Sequence, residues 1–531
     1  MMKIKIVVLG ISVLVLIGLS GCDQWLTIQP ESQVILKDYW KSQEDVEAVL
    51  ASCYNGLITD DNINRMIVWG ELRSDNLTIG SNDPGQDMKD ILVGKITSTN
   101  SYCNWGGFYT VINYCNSVLH YAPQVIGQDV NFTENHLHRV QSEALTVRAL
   151  SYFYLLRAFK DVPWIEEPSI DNTQNYARPK DTEQTILNNI IRDLLIAQKY
   201  AITDYGRLDY NKGRITLDAV NSLLADVYLW NQQYDLCAQT CDLVLADKNL
   251  KLVKAVDMIH SVFYQGNSSE SIFELQFNGN SQINHPTQQL YGHGSGGEFT
   301  FGQLTLPSAL AYFYDVTKGN NLTTGAYSPF NYIVSTTVTE GIDDIRAFEF
   351  CFAPGGVISI FKYTGADVIK SLDGTYGYSY RTNSANWIVY RLSDVMLMKA
   401  EALVELDGTE NLNNALSIVN QTYLRSNPSA DSLRISNYPD KSSMAQLVLR
   451  ERQRELLFEG KRWFDLVRVS RREGSTSTLN GFANHKKTES SAPLGATVLD
   501  AMYMPISKSE LDANPNMVQN EFYRETTTVT K

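Results

Sequence analysis

Arg450, Glu451, Arg452, Arg454, Glu455, Glu459, Lys461, Arg462, Asp465 and Arg468 crowd one segment, LRERQRELLFEGKRWFDLVR, with both signs at three- and four-residue spacing. Charges so spaced share a helix face, where they either converge on an active centre or pair with one another. The apolar residues among them, Leu456, Leu457, Phe458, Trp463 and Phe464, favour pairing. The segment reads as a salt-bridge-laced helix that closes at Gly460 over a buried apolar side.

Other patterns that could carry catalysis fail on context. Gly292-His293-Gly294-Ser295-Gly296-Gly297 satisfies G-x-G-x-x-G, but no buried strand precedes it and no helical period follows, so it reads as a loop. Ser295 in the same loop lacks the strand–turn–helix setting of a nucleophile elbow. Asp60, Asn62, Asn64 and Glu71 occupy calcium-loop positions, yet Arg65 stands where the sharp turn needs Gly. His136 and His138 have no H-E-x-x-H partner pattern, and the adjacent pairs Glu166-Glu167 and Asp343-Asp344 say nothing about the spacing that sugar hydrolysis requires. No catalytic residue, metal ligand or cofactor is predicted.

The elements that would position any site are helical. Periodicity predicts helices over about Trp105–Tyr121 and Glu134–Phe159. A second group runs from Thr182 to Asp247, broken at Tyr205–Gly213 and restarting behind Thr216 as N-cap. The third covers Leu392–Leu406, Asn411–Tyr423 and Met444–Phe458. Helix, short turn, helix, with small residues at the crossings, is the grammar of a tetratricopeptide-like array, although no strict repeat survives. The fold class is therefore all-α, with long loop-rich insertions and few short strands. Between about Glu270 and Tyr380, Ser, Gly, Asn and aromatic residues dominate, and such long irregular stretches in a folded body carry function.

The chain has 531 residues, 44% of them hydrophobic and 20% charged, which is globular usage. A net charge of −14 repels phosphate backbones, so no nucleic-acid partner is expected. Lys3 and Lys5 precede an apolar run from Ile6 to Leu19, too short to cross a hydrocarbon core of roughly 30 Å comfortably. Leu19-Ser20-Gly21-Cys22 follows and resembles a bacterial lipobox, which implies cleavage after residue 21 and a lipid on Cys22 as the membrane anchor. Cys53, Cys103, Cys115, Cys237, Cys241 and Cys351 show no zinc spacing and read as small buried hydrophobes, with a disulfide left open.

Several blocks in order resemble the SusD/RagB family of outer-membrane nutrient-binding lipoproteins. They are Gly21-Cys22-Asp23 to Pro30; Trp105, Tyr109, Ile112 and Asn116; Glu143-Ala144 through Arg148-Ala149 to Asp161-Val162-Pro163; and Gly213-Arg214-Ile215-Thr216 with Leu223 to Leu229. Tyr390 to Asp394 with Lys399 to Ala402, the Arg450–Leu466 block, and Pro505-Ile506 through Asn520 continue the match. One departure is visible: Glu521 and Phe522 stand where the family's ending has Pro-Gly. The resemblance implies a helical body in two halves, 22–250 and 251–531, behind the signal segment 1–21. Its ligand face would lie at about 270–386. It also implies a non-catalytic cell-surface lipoprotein that hands a glycan or oligosaccharide to a SusC-like TonB-dependent outer-membrane transporter. Peptide uptake on the same architecture is the alternative, and a surface glycan hydrolase is a remoter one.

Sugars offer C–H faces ringed by hydroxyls, so a binder needs an aromatic plate and planar polar groups at its rim. Arg73, Asp75 and Asn76 in Trp-Gly-Glu-Leu-Arg-Ser-Asp-Asn are the candidate rim, against the alternative that they fix the loop. His285, Tyr291, Tyr327 and Phe330 are the candidate plate, since Gly, Ser, Asn and Pro around them give no helix to bury them. Trp105 reads as a helix anchor first and a ligand contact second.

Overall fold

A computed structural model describes residues 39–170, 174–295, 298–315, 321–352, 357–370, 376–381, 384–486 and 496–524. The signal segment and Cys22 lie outside the described residues. The frame is made of long helices: α1 Gln43–Leu57, α2 Gly106–Tyr121, α3 Glu134–Phe159, α4 Glu183–Tyr200, α5 Leu217–Trp230, α6 Tyr234–Leu245, α7 Leu392–Leu406, α8 Thr409–Ser426, α9 Lys441–Leu456 and α10 Arg462–Glu473. Their starts are set by short polar side chains that take a free N–H of the first turn. Thr133 accepts from His136, Thr182 from Thr185 and Thr216 from Ala219. Ser42 and Asp440 form reciprocal capping boxes with Asp45 and Ser443.

Each helix packs on the next in chain order from α1 through α9. The step from α6 to α7 is notable, because the whole of 246–391 intervenes, yet the two helices lie side by side. The array is thus continuous in space, and the loop-rich stretch is extruded from it. The insertion leaves along Ser271–Leu275 and returns along Trp387–Arg391, an antiparallel pair with Trp387 opposite Leu275 and Arg391 opposite Ser271. Beyond that neck the described strands are two to six residues long and pair in twos, in ribbons such as Tyr312–Asp315 with Asn321–Thr324 and Tyr332–Ser335 with Val338–Glu340. One ribbon reaches out of the insertion: Leu304–Thr305 pairs with Thr78–Ile79.

A single apolar core extends from Trp40 to Met517, and a satellite cluster of Tyr312, Phe330, Ala347 and Phe348 fills the insertion. The six described cysteines are buried free thiols.

Two sequence expectations change here. The calcium-loop positions are not a loop: Asp60–Ile67 is a helix capped by Thr59. Glu71 is buried and accepts N–H bonds from Phe458, Lys461 and Arg462. The charged block is not one helix closing at Gly460. The helix ends at Leu456, and the turn places Phe458 and Gly460 at φ of 69° each before α10 begins at Arg462. Gly460 presses against Gly70 so closely that a Cβ on Gly70 would stand 1.9 Å from the Gly460 carbonyl oxygen.

Candidate functional site

The charged block is interior. Arg454 and Glu455 are fully buried, and their partners arrive from the insertion and its neck as well as from Arg425 of α8 and Glu451 of α9. Glu340 takes Arg450 at 2.8 Å and Arg454 at 2.8 Å; Arg346 reaches Glu451 at 2.8 Å and Glu455 at 2.7 Å; Lys362 reaches Glu459 at 2.6 Å. Arg391 joins Glu270 and Glu455, each at 2.6 Å. Burial opposes charge on the Glu340 carboxyl, but the guanidiniums of Arg454 and Arg450 overcome it and bring the pKa down to about 2. Each of the carboxylates named here is paired with a cation. The block is a socket that holds the insertion against the array.

The proposed rim residues belong to the same interior. Asp75 is 2.9 Å from Arg462. Asn76 donates to Glu71 at 2.7 Å and accepts from Gln453 at 2.8 Å. Arg73 donates to the carbonyls of Ala501 and Met502 at 2.6 and 2.7 Å and lies 4.2 Å over the Trp463 ring. All three are buried, so they fix the interior and offer no surface to a ligand. Trp105 is also core, edge-on to Tyr109 and Phe159.

The plate candidates divide. Tyr291 is fully buried, stacked near Tyr363, with its hydroxyl donating to the Phe458 carbonyl at 3.0 Å. Phe330 is enclosed in the satellite cluster with Tyr312 and Phe348. Neither is offered to a ligand, because Tyr291 packs against Tyr363 and Phe458, and Phe330 against Tyr312. His285 is exposed, opens the short helix His285–Tyr291 and pairs with Asp60 at 3.1 Å. Of the four predicted plate rings only His285 and Tyr327 are open to solvent, and with His285 tied to Asp60, Tyr327, 54% exposed, is the one that offers an aromatic face.

Tyr327 has a partner that sequence reasoning missed. His485 lies parallel to it, ring centroids 4.1 Å apart and planes within 3°, and Phe482 meets His485 edge-on at 5.4 Å. Backbone bonds fix Tyr327: its N–H donates to Ala309 at 2.8 Å, and Gly325 crosses so near that a Cβ there would stand 2.2 Å from the Ala309 oxygen. His485 sits on the turn Asn484–Lys486. Burial lowers its pKa, against the pull of Asp75, and so favours the neutral imidazole.

Next to it, Lys486 runs inward and donates to the carbonyls of Leu72, Ser74 and Leu77. That clamps the plate onto the segment carrying Arg73, Asp75 and Asn76, and burial brings the Lys486 amine down to about 7. No period or spacing links Tyr327 to His485; only the fold brings them together. A neutral stacked pair with an open face can receive the C–H side of a sugar ring.

A helical array with an extruded, ribbon-rich face bearing an aromatic plate defines the class. Two family models match in order: one described as the SusD family over residues 352–523, the other as starch-binding associating with outer membrane over residues 24–229. Between them they span most of the chain, which belongs to the SusD/RagB family. It is 24% identical to a SusD-like protein, P38, of Formosa agariphila, across 98% of this chain and all of that one. It is 26% identical to a SusD-like protein of Bacteroides ovatus, covering 88% of this chain and 82% of that one. A solved SusD superfamily protein from Parabacteroides distasonis superposes with a TM-score of 0.68 at 23% identity, over 91% of this chain and 99% of that one. Among the described residues no helix is long and apolar enough to cross a membrane.

Proposed function

We propose that this chain is a non-catalytic, lipid-anchored outer-membrane protein that binds a glycan or oligosaccharide at the cell surface and passes it to a SusC-like TonB-dependent transporter. The observation that carries the reading is the Tyr327–His485 plate, an open and neutral stacking surface on the extruded face of a SusD-family body. Family membership supports the location, and the lipobox-like Leu19-Ser20-Gly21-Cys22 supports acylation at Cys22. Affinity electrophoresis and calorimetry against polysaccharides, host glycans and peptides test it. A glycan should bind, and Tyr327→Ala should weaken it by about 1–3 kcal/mol, the usual effect of losing an aromatic anchor. Peptide binding with no glycan binding would move the reading to peptide uptake, and product release in a day-long incubation would move it to a hydrolase. Surface labelling of intact cells with and without Cys22→Ala tests the anchor: protection of the whole population would refute surface exposure.

A further inference from the structure

The ribbon Tyr332–Ser335/Val338–Glu340 and residues 427–437, which follow α8, enclose a polar cleft of about 590 Å³. Hydroxyls (Thr339, Ser432), an amide (Asn437) and a guanidinium (Arg434) line it beside the apolar Val338 and Ile342. Asn427 lines it as well and is almost wholly buried. Its Nδ2 donates to Asp344 Oδ2 at 2.8 Å and to the Tyr423 carbonyl at 2.9 Å, which fixes the amide's orientation. Its Oδ1 is then left a buried acceptor with no hydrogen-bond partner among the described residues. Native structures rarely leave such an atom unsatisfied, so a donor from outside the protein is expected there.

The lining narrows the donor's class. Asp343 and Asp431 also border the cleft, but Arg434 offsets one of the two charges, and among the described residues no cluster of carboxylates, His or Cys is arranged to hold a metal. Interleaved hydroxyl, amide and small apolar surface matches a ligand carrying hydroxyls on a compact carbon frame.

We infer that this cleft is a second binding site, for a small neutral polyhydroxylated molecule of the pyranoside or polyol class, with Asn427 Oδ1 accepting from one ligand hydroxyl. The inference does not rest on the Tyr327–His485 plate, with which the cleft shares no residue. Saturation-transfer difference NMR on the full chain tests it, with methyl α-D-glucopyranoside, methyl β-D-galactopyranoside and myo-inositol as probes. Transfer to at least one probe is expected. It should fall about fivefold or more in the double variant Arg434→Ala/Asn437→Ala, whose side chains bond to no other side chain among the described residues, and likewise in Asn427→Ala. All of these measurements are made in a Tyr327→Ala background, so that the plate contributes nothing to the transfer. No transfer from any probe would mean that water alone satisfies Asn427 and would overturn the site. Transfer that survives the double variant would place the probe elsewhere and overturn it too. So would a calcium titration whose heat disappears in Asp431→Asn while the sugars give no signal.

Discussion

Arg73 carries a positive charge into the interior with no carboxylate bonded to it among the described residues. Two backbone carbonyls and the face of Trp463 are what it meets, and burial pulls its pKa below the usual arginine value. Arg73→Ala would strand the carbonyls of Ala501 and Met502 and open a void under Trp463, so a loss of about 2–4 kcal/mol is expected by chemical denaturation. Ligand affinity per folded molecule should stay unchanged. Arg73→Lys cannot reach both carbonyls in the same fork and should recover only part of the loss. Tyr327 behaves in the opposite way. Its ring is open on one face, so Tyr327→Phe should keep both stability and binding, whereas His485→Ala should cost binding by removing the ring that holds Tyr327 flat. Calorimetry and thermal melts on these four variants separate the two roles. An unaltered melting temperature in Arg73→Ala would show that its bonds are dispensable. From sequence, Arg73 and Tyr327 looked alike as polar or aromatic residues without a helical period. What distinguishes them is which one the fold covers, and the covering pieces, Ala501–Met502 and Trp463, come from the far end of the chain.

Among the elements, the long helices were legible because their information is local. Thr216 as N-cap, the Asn231–Gln233 turn and the limits of Glu134–Phe159 and Leu392–Leu406 follow from caps and apolar spacing within a few residues. The charge-rich stretch was legible only as structural. Its partners Glu340, Arg346, Lys362 and Arg391 lie roughly 60 to 110 residues upstream, so nothing local tells a surface lattice from a buried socket. The consequence is a coupling between elements: α9 holds the Tyr332–Glu340 ribbon through Glu340. Arg454→Ala leaves Glu340 and Glu451 buried with one cation fewer, which should cost about 3–5 kcal/mol. Arg454→Met restores the volume but not the charge and should remain close to that loss. Hydrogen exchange should show the ribbon opening more readily than α3 in these variants. Uniform protection across both elements would mean that the ribbon does not depend on this socket.

At the scale of the whole molecule, so many buried charges make stability a function of pH, with limbs set by different groups. Glu340 is held at about 2 by Arg454 and Arg450 against the opposing effect of burial, and Asp394 at about 2 by Lys461 and Arg452 in the same way. Their contribution is complete above the unfolded carboxylate range, near 4, and is lost as pH falls toward 2. Glu71 runs the other way. Burial raises it to about 7 even though Asn76 and the N–H groups of Phe458, Arg462 and Lys461 bond to it. The native state therefore holds a proton that the unfolded chain releases near 4.5, so this contribution is complete below 4.5 and disappears as pH rises to about 7. Lys486, brought down to about 7 by burial, acts only above that point: the native state gives up its proton first, so its contribution grows as pH rises from about 7 toward 10.5. Melting temperature should fall steeply below pH 4, decline gently from about 4.5 to 7, and recover part of the decline above 7. Glu71→Gln should lower the whole curve, since a neutral amide bonds the turn N–H groups less strongly, and should make the decline between 4.5 and 7 shallower, with Asp218, which burial and Asp247 raise to about 7, keeping part of it. A variant curve parallel to wild type in that window would show that Glu71 stays ionised in the native protein and that its hydrogen bonds outweigh its burial.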